Sequence, residues 1–246
     1  MERAFVYGDL LFETMAVVEG NIRHVRDHAA RLNAGLKYLG LPATMDVNKL
    51  ESLLRPAVRE QSQARIRLIA YSKADGFYRS SSKDVQFEVE VFPLPDEQKK
   101  IQQIGIYPGD WKPTSPLSNF KTGNALVYIQ ALKFAADKGW DDVLILNQYG
   151  HICEAASSNL FWVKDGQLFT PPLSEGCVMG VMRAVLLRHL PMHDFELEEK
   201  PAVLMELLQA DELFLTNAIH RIQSVECLDG KLYADTLTAK IRNTLE

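Results

Sequence analysis

Ser118-Asn119-Phe120-Lys121-Thr122-Gly123-Asn124 opens an apolar helical pattern, and Cys153-Glu154-Ala155-Ala156-Ser157-Ser158-Asn159-Leu160-Phe161 follows a strand and a turn. The first stretch puts a lysine just ahead of a helix predicted from about Gly123 to Lys138. The second puts a glutamate on a returning strand, His151 to Ala155, after the strand Val143 to Leu146 and the turn Gln148-Tyr149-Gly150. An amine attacks a carbonyl only when neutral, and burial or a nearby cation favours that form. A carboxylate beside a pyridine nitrogen keeps it protonated and makes the ring a better electron sink. Small residues after Glu154 would let a flat ring approach. Alone, Lys121 reads as a solvated lysine and Glu154 as a surface ion pair. Together they fit an amine that holds an aldehyde cofactor as a Schiff base and a carboxylate facing the cofactor's far end.

Upstream, Thr14 to Val18, the turn Glu19-Gly20-Asn21 and Ile22 to Val25 read as a hairpin. Helical spacing of Ala29, Leu32, Leu36 and Leu39 follows, ended by Gly40 and Pro42. A helix over 47–60 and two alternating strands, Arg65 to Tyr71 and Val85 to Phe92, come next, with Lys73-Ala74-Asp75-Gly76 as the turn between the strands. Downstream, Leu160 to Val163 and Gln167 to Thr170 form a hairpin, Gly180 to His189 a helix, and Pro201 opens a helix to Leu208. Asp211 to Thr216 and Arg221 to Leu228 are strands, and 234–245 is a helix. Hairpins mixed with helices give an α+β class. The aperiodic, proline-bearing stretch Tyr107 to Pro116 marks a boundary: residues 1–108 form a small domain, 109–118 a linker, and 119–246 a larger domain.

The bulk numbers narrow the function. A net charge of −5 disfavours a nucleic-acid or anionic-membrane binder. Three cysteines without a C-x-x-C pair argue against a disulfide framework or zinc site, and the six histidines show no ligand spacing, so no metal is expected. No signal peptide or spanning segment is read, which points to the cytoplasm. Two stretches could hold phosphate. His28 and Arg31 lie one turn apart on a helix, either as an anion fork or as a solvated face. Gly180-Val181-Met182 opens a helix whose N–H groups either bind an anion or are merely capped.

The ordered set resembles the class IV aminotransferases, the fold-type IV pyridoxal-phosphate enzymes. It comprises Gly8-Asp9-Leu10-Leu11-Phe12-Glu13-Thr14, His28-x-x-Arg31-Leu32, Lys121-x-x-Asn124, Glu154-x4-Asn159-Leu160-Phe161, Thr170-Pro171-Pro172-Leu173, Gly180-Val181-Met182-Arg183, Ala210-Asp211-Glu212 and Thr216-Asn217-Ala218. The resemblance implies a two-domain α+β fold, with a small N-terminal α/β sandwich and a larger C-terminal pseudo-barrel, and usually a homodimer. It implies pyridoxal 5'-phosphate as cofactor and a small-molecule amino substrate. Lys121 becomes the catalytic Schiff-base lysine and Glu154 the pyridine partner. Arg31 and the backbone of Val181 and Met182 hold phosphate, with Gly180, Ser158, Asn159, Thr216, Asn217 and Ala218 around the cofactor. Leu160-Phe161-Trp162 and Gly180-Val181-Met182-Arg183 are similar to aminodeoxychorismate lyases, which release pyruvate and 4-aminobenzoate for folate synthesis. A transaminase of branched-chain or D-amino acids using 2-oxoglutarate, or a cofactor-free scaffold on the same fold, are the alternatives.

Overall fold

A computed structural model describes residues 3–59, 61–73, 77–78, 84–96 and 100–245. The turn expected at Lys73-Ala74-Asp75-Gly76 falls largely outside them, as does Glu60. The described chain divides into two compact units: residues up to Asp96 with Phe120–Asn124, and residues Lys100 to Asn119 with those from Ala125 onward.

The first unit contains α1 (Arg3–Tyr7), β1 (Leu10–Val18), β2 (Asn21–Ile22), α2 (Val25–Tyr38), α3 (Val47–Val58), β3 (Gln63–Ser72) and β4 (Val85–Phe92). Its sheet runs β2-β1-β3-β4, all antiparallel, with Leu10 opposite Tyr71 and Val18 opposite Gln63. The second hairpin strand is shorter than expected because His24 adopts a left-handed φ of 54° and turns the chain into α2. Leu11, Met15 and Val17 from β1 pack with Ala29, Leu32 and Leu36 from α2 and with Ile66 and Leu68 from β3. The helix contributes residues three and four apart and the strands alternate ones, as their periods require.

The second unit contains β5 (Lys100–Ile106), α4 (Leu126–Lys138), β6 (Asp142–Leu146), β7 (Ile152–Ala155), β8 (Asn159–Lys164), β9 (Gln167–Thr170), α5 (Val181–His189), β10 (Leu197–Glu199), α6 (Leu204–Leu208), β11 (Glu212–Asn217), β12 (Arg221–Leu228), β13 (Lys231–Leu232) and α7 (Thr236–Thr244). Its strands run β10-β9-β8-β11-β12-β5-β6-β7, with β13 on β12, in a curled sheet of the barrel-like kind expected. Both faces of β8 are covered: Leu160 and Trp162 enter one apolar cluster, Phe161 and Val163 another.

Three expectations need correction. β5 carries no sequence-derived expectation, yet it pairs parallel to β12 and β6 and so draws the stretch read as a linker, 109–118, into the second unit. Pro201 does not begin a helix: Ala202 bridges Ile152 in extended backbone and α6 starts at Leu204. α4 starts at Leu126 rather than Gly123, because the preceding residues pair with β1: Phe12 N donates to Lys121 O and Gly123 N to Leu10 O.

Candidate active site

Lys121 sits in the segment pinned to β1. Leu11 bridges Thr122, and Gly123 lies so close to Gly8 that an added Cβ would come within 2.9 Å of the Gly8 Cα. Gly8 itself has φ +65°, which favours glycine. These contacts explain why glycines stand at positions 8 and 123. The partly buried Lys121 Nζ lies 4.4 Å from the centroid of the Phe12 ring, a cation–π contact.

Arg31 and His28 do share one helix face, and both meet Glu13. Arg31 Nε and Nη2 donate to Glu13 at 2.8 and 2.5 Å, and His28 Nδ1 lies 2.6 Å from Glu13 Oε2. All three side chains are buried, so the solvated-face reading is excluded. Burial by itself would raise the Glu13 pKa; the Arg31 charge and the bonds from Arg31 and His28 overcome it and hold the carboxyl at about 2. Arg31 thus enters any further contact already ion-paired with Glu13.

In the second unit Glu154, near the end of β7, is 3% exposed. Its Oε1 accepts from Lys112 Nζ and from Tyr128 Oη at 2.8 Å; its Oε2 accepts from Val178 N at 2.8 Å and Asn159 Nδ2 at 3.4 Å. Asn159 Nδ2 also donates to Val178 O at 2.8 Å. Asn159 stands opposite Thr216 across β8 and β11, and a Cβ on Gly180 would lie 1.8 Å from Asn159 Oδ1. Asn217 Nδ2 donates to Ser158 Oγ at 3.0 Å, and Asn217 Oδ1 accepts from Ile219 N and His220 N, shaping the turn that holds Ala218. Glu154, Ser158, Asn159, Gly180, Thr216 and Asn217 thus form one continuous set, from which Val181 and Met182 begin α5. Arg31 and Lys121 belong to the first unit.

Lys112 and Tyr128 were missed from the sequence. Trp111-Lys112-Pro113 lies in an aperiodic stretch, where nothing announces that Lys112 will be 4% exposed and ion-paired. Other resembling segments turn out to support the scaffold. Glu212 accepts from Leu237 N, Thr238 N and Thr238 Oγ1, each at 2.7 Å, and so caps α7. Arg183 Nη2 donates to Pro171 O at 2.9 Å and pairs with Glu199, and Thr170 Oγ1 donates to Leu160 O.

Two observations test whether these residues fit pyridoxal phosphate. Thr216 Oγ1 is buried without a hydrogen-bond partner among the described residues, a costly state for a hydroxyl unless a ligand satisfies it. α5, which packs against β11, begins at Gly180 with no side-chain cap, leaving its first N–H groups suited to an anion. With the buried Glu154 carboxylate in the same set, phosphate and ring nitrogen each have chemically matched partners, so the residues fit the group.

The amino-transferase class IV family matches residues 10–227. Aminodeoxychorismate lyase of Vibrio harveyi is 26% identical over 223 residues, covering 89% of this chain and 82% of that protein. Branched-chain-amino-acid aminotransferase of Escherichia coli strain K12 is 26% identical over 246 residues, covering 94% and 79%. The crystal structure of 4-amino-4-deoxychorismate lyase from Pseudomonas aeruginosa superposes with a TM-score of 0.89 at 29% identity, covering 99% of this chain and 92% of that one. The chain belongs to the amino-transferase class IV family, whose members are pyridoxal-phosphate-dependent enzymes.

Proposed function

We propose that the protein is an aminodeoxychorismate lyase that releases pyruvate and 4-aminobenzoate for folate synthesis, acting in the cytoplasm as a homodimer. The observation that carries the choice of lyase is the 29% identity to the Pseudomonas aeruginosa lyase along 99% of the chain. The segments Leu160-Phe161-Trp162 and Gly180-Val181-Met182-Arg183 support it.

When bound, pyridoxal phosphate supplies an aldehyde for the substrate amine and a ring that accepts an electron pair. In this reading Lys121 would be the residue that holds the aldehyde carbon. Its amine would also move protons at the substrate, from a position fixed through the backbone bonds to β1. Glu154 holds a proton at the ring nitrogen. The N–H groups of Val181 and Met182, the Thr216 hydroxyl and Arg31 bind the phosphate. Ser158, Asn159, Asn217 and Ala218 line the site, with Asn159 holding the Val178 segment against Glu154.

A transaminase of branched-chain or D-amino acids is the second reading, supported by the 26% identity to the Escherichia coli aminotransferase over 94% of the chain. Purified protein given both substrate sets separates the two. Release of pyruvate with 4-aminobenzoate is expected. Glutamate formation from amino donors and 2-oxoglutarate, with no 4-aminobenzoate, would sink the lyase.

A further inference from the structure

A carboxylate offers about four lone-pair positions. Glu154 accepts from four donors, Lys112 Nζ and Tyr128 Oη on Oε1, and Val178 N and Asn159 Nδ2 on Oε2, of which the Asn159 bond is long at 3.4 Å and is the one a ring N–H would displace. Only Lys112 among them carries a charge. It is held from two sides: its backbone N donates to Leu146 O at 2.9 Å, and its ammonium lies 5.1 Å from the Tyr128 ring centroid. The side chain is 5% exposed, so solvent screens its charge little.

Tyr128, Cys153 and Cys177 beside Glu154 are neutral, and Arg183 is paired. Burial first, and the Glu154 charge second, push the Tyr128 phenol and the Cys153 thiol well up. The same causes push the Cys177 thiol to about 12. Arg183, beyond Cys177, is paired with Glu199. Lys112 is thus the cation bonded directly to Glu154.

We propose that Lys112 is a positioning residue that shares the Glu154 carboxylate with the cofactor's ring nitrogen and weakens the hold of that carboxylate on the ring proton. The inference rests on Glu154 being the ring partner. A cation at Oε1 cancels part of the negative charge that a protonated ring nitrogen needs, and it repels the ring's own positive charge. The proton shared by Glu154 and the ring thus leaves at lower pH than it would beside an unshared carboxylate. Lys112 tunes how strongly the ring draws electrons, without touching the reacting atoms.

The test loads the protein with pyridoxal phosphate carrying ¹⁵N in the ring and follows that nitrogen's NMR shift against pH. Lys112→Gln is expected to move the titration upward by about one pH unit or more. Lys112→Arg keeps the charge and is expected to titrate with the native protein. Should the glutamine variant not fold, Lys112→Met, similar in volume and uncharged, takes its place with the same expected shift. A merely structural lysine would, on removal, loosen Glu154 and move the titration downward. A Lys112→Gln titration at or below the native one overturns the inference. Glu154→Gln separates the two levels. If it leaves the ¹⁵N signal at its native position, Glu154 is not the ring partner and both readings fall. If it shifts that signal while Lys112→Gln does not, only the inference falls.

Discussion

Glu13 and Glu154 are buried almost equally, at 2% and 3% exposure, yet they are held in different ways. Glu13 on β1 takes both partners, Arg31 and His28, from one face of α2. A guanidinium fork and a neighbouring imidazole on the same helix arrive and leave together, so this pair behaves as a clamp between strand and helix. Glu154 takes its donors from four separate places in the second unit, residues 112, 128, 159 and 178, and the Asn159 bond is long at 3.4 Å. Donors of unequal strength on independent segments can give way one at a time. Burial alone therefore does not separate the two carboxylates; the distribution of their donors does.

Exchanging the two side chains for glutamine should break the comparison if it is wrong. Glu13→Gln takes from the buried Arg31 the carboxylate that its Nε and Nη2 both bond and should destabilise the protein by about 3 to 5 kcal/mol, read from urea unfolding. Glu154→Gln should instead lower turnover about 100- to 1,000-fold in steady-state assays, because the ring nitrogen loses its charged partner. A Glu13→Gln protein as stable as the native one would remove the clamp from the account, and full activity in Glu154→Gln would remove the electron-sink partner.

Acid sharpens the same contrast. The Glu13 carboxyl, at about 2 when folded against an ordinary 4.5, is depressed. Its contribution is thus fully present above about pH 4.5 and lost as pH falls toward 2, amounting to at most about 3 kcal/mol. Denaturant midpoints at pH 7 and pH 2.5 should fall further for the native protein than for Glu13→Gln; equal falls would clear Glu13 of responsibility.

The smallest effect concerns the orphaned hydroxyl near Glu154. Thr216→Val should leave the stability of the cofactor-free protein unchanged or slightly raised, since a buried unsatisfied hydroxyl is removed. Cofactor affinity, followed by absorbance titration, should drop about tenfold, the loss of one hydrogen bond to a charged group. A variant that binds as tightly as the native protein would show that Thr216 does not reach the phosphate.

Much of this architecture was readable in advance, for identifiable reasons. The stripe Ala29, Leu32, Leu36 announced α2 because its period is helical, and β3 and β4 announced themselves by alternation. The place of Glu154 on a strand was legible because turn chemistry bounds that strand. β5 was not legible: Gln102-Gln103 interrupts its apolar pattern, and Gly105 replaces a side chain with the Trp140 ring, within 2.0 Å of where a Cβ would sit. The shared face of His28 and Arg31 followed from spacing, but their common partner lies on another element, as do the Lys112 and Tyr128 partners of Glu154. Such pairings are set by tertiary packing and leave no periodic trace.

The strip 120–124 has a practical consequence. It is stitched along β1 although the chain on either side of it builds the other unit. A gene cut at residue 97 to make the back half alone would still encode the lysine, but on a short tongue stripped of its backing strand. A split at that point is expected to cost the proposed Schiff-base lysine its setting, and a circular rearrangement of the gene should keep that seam sewn.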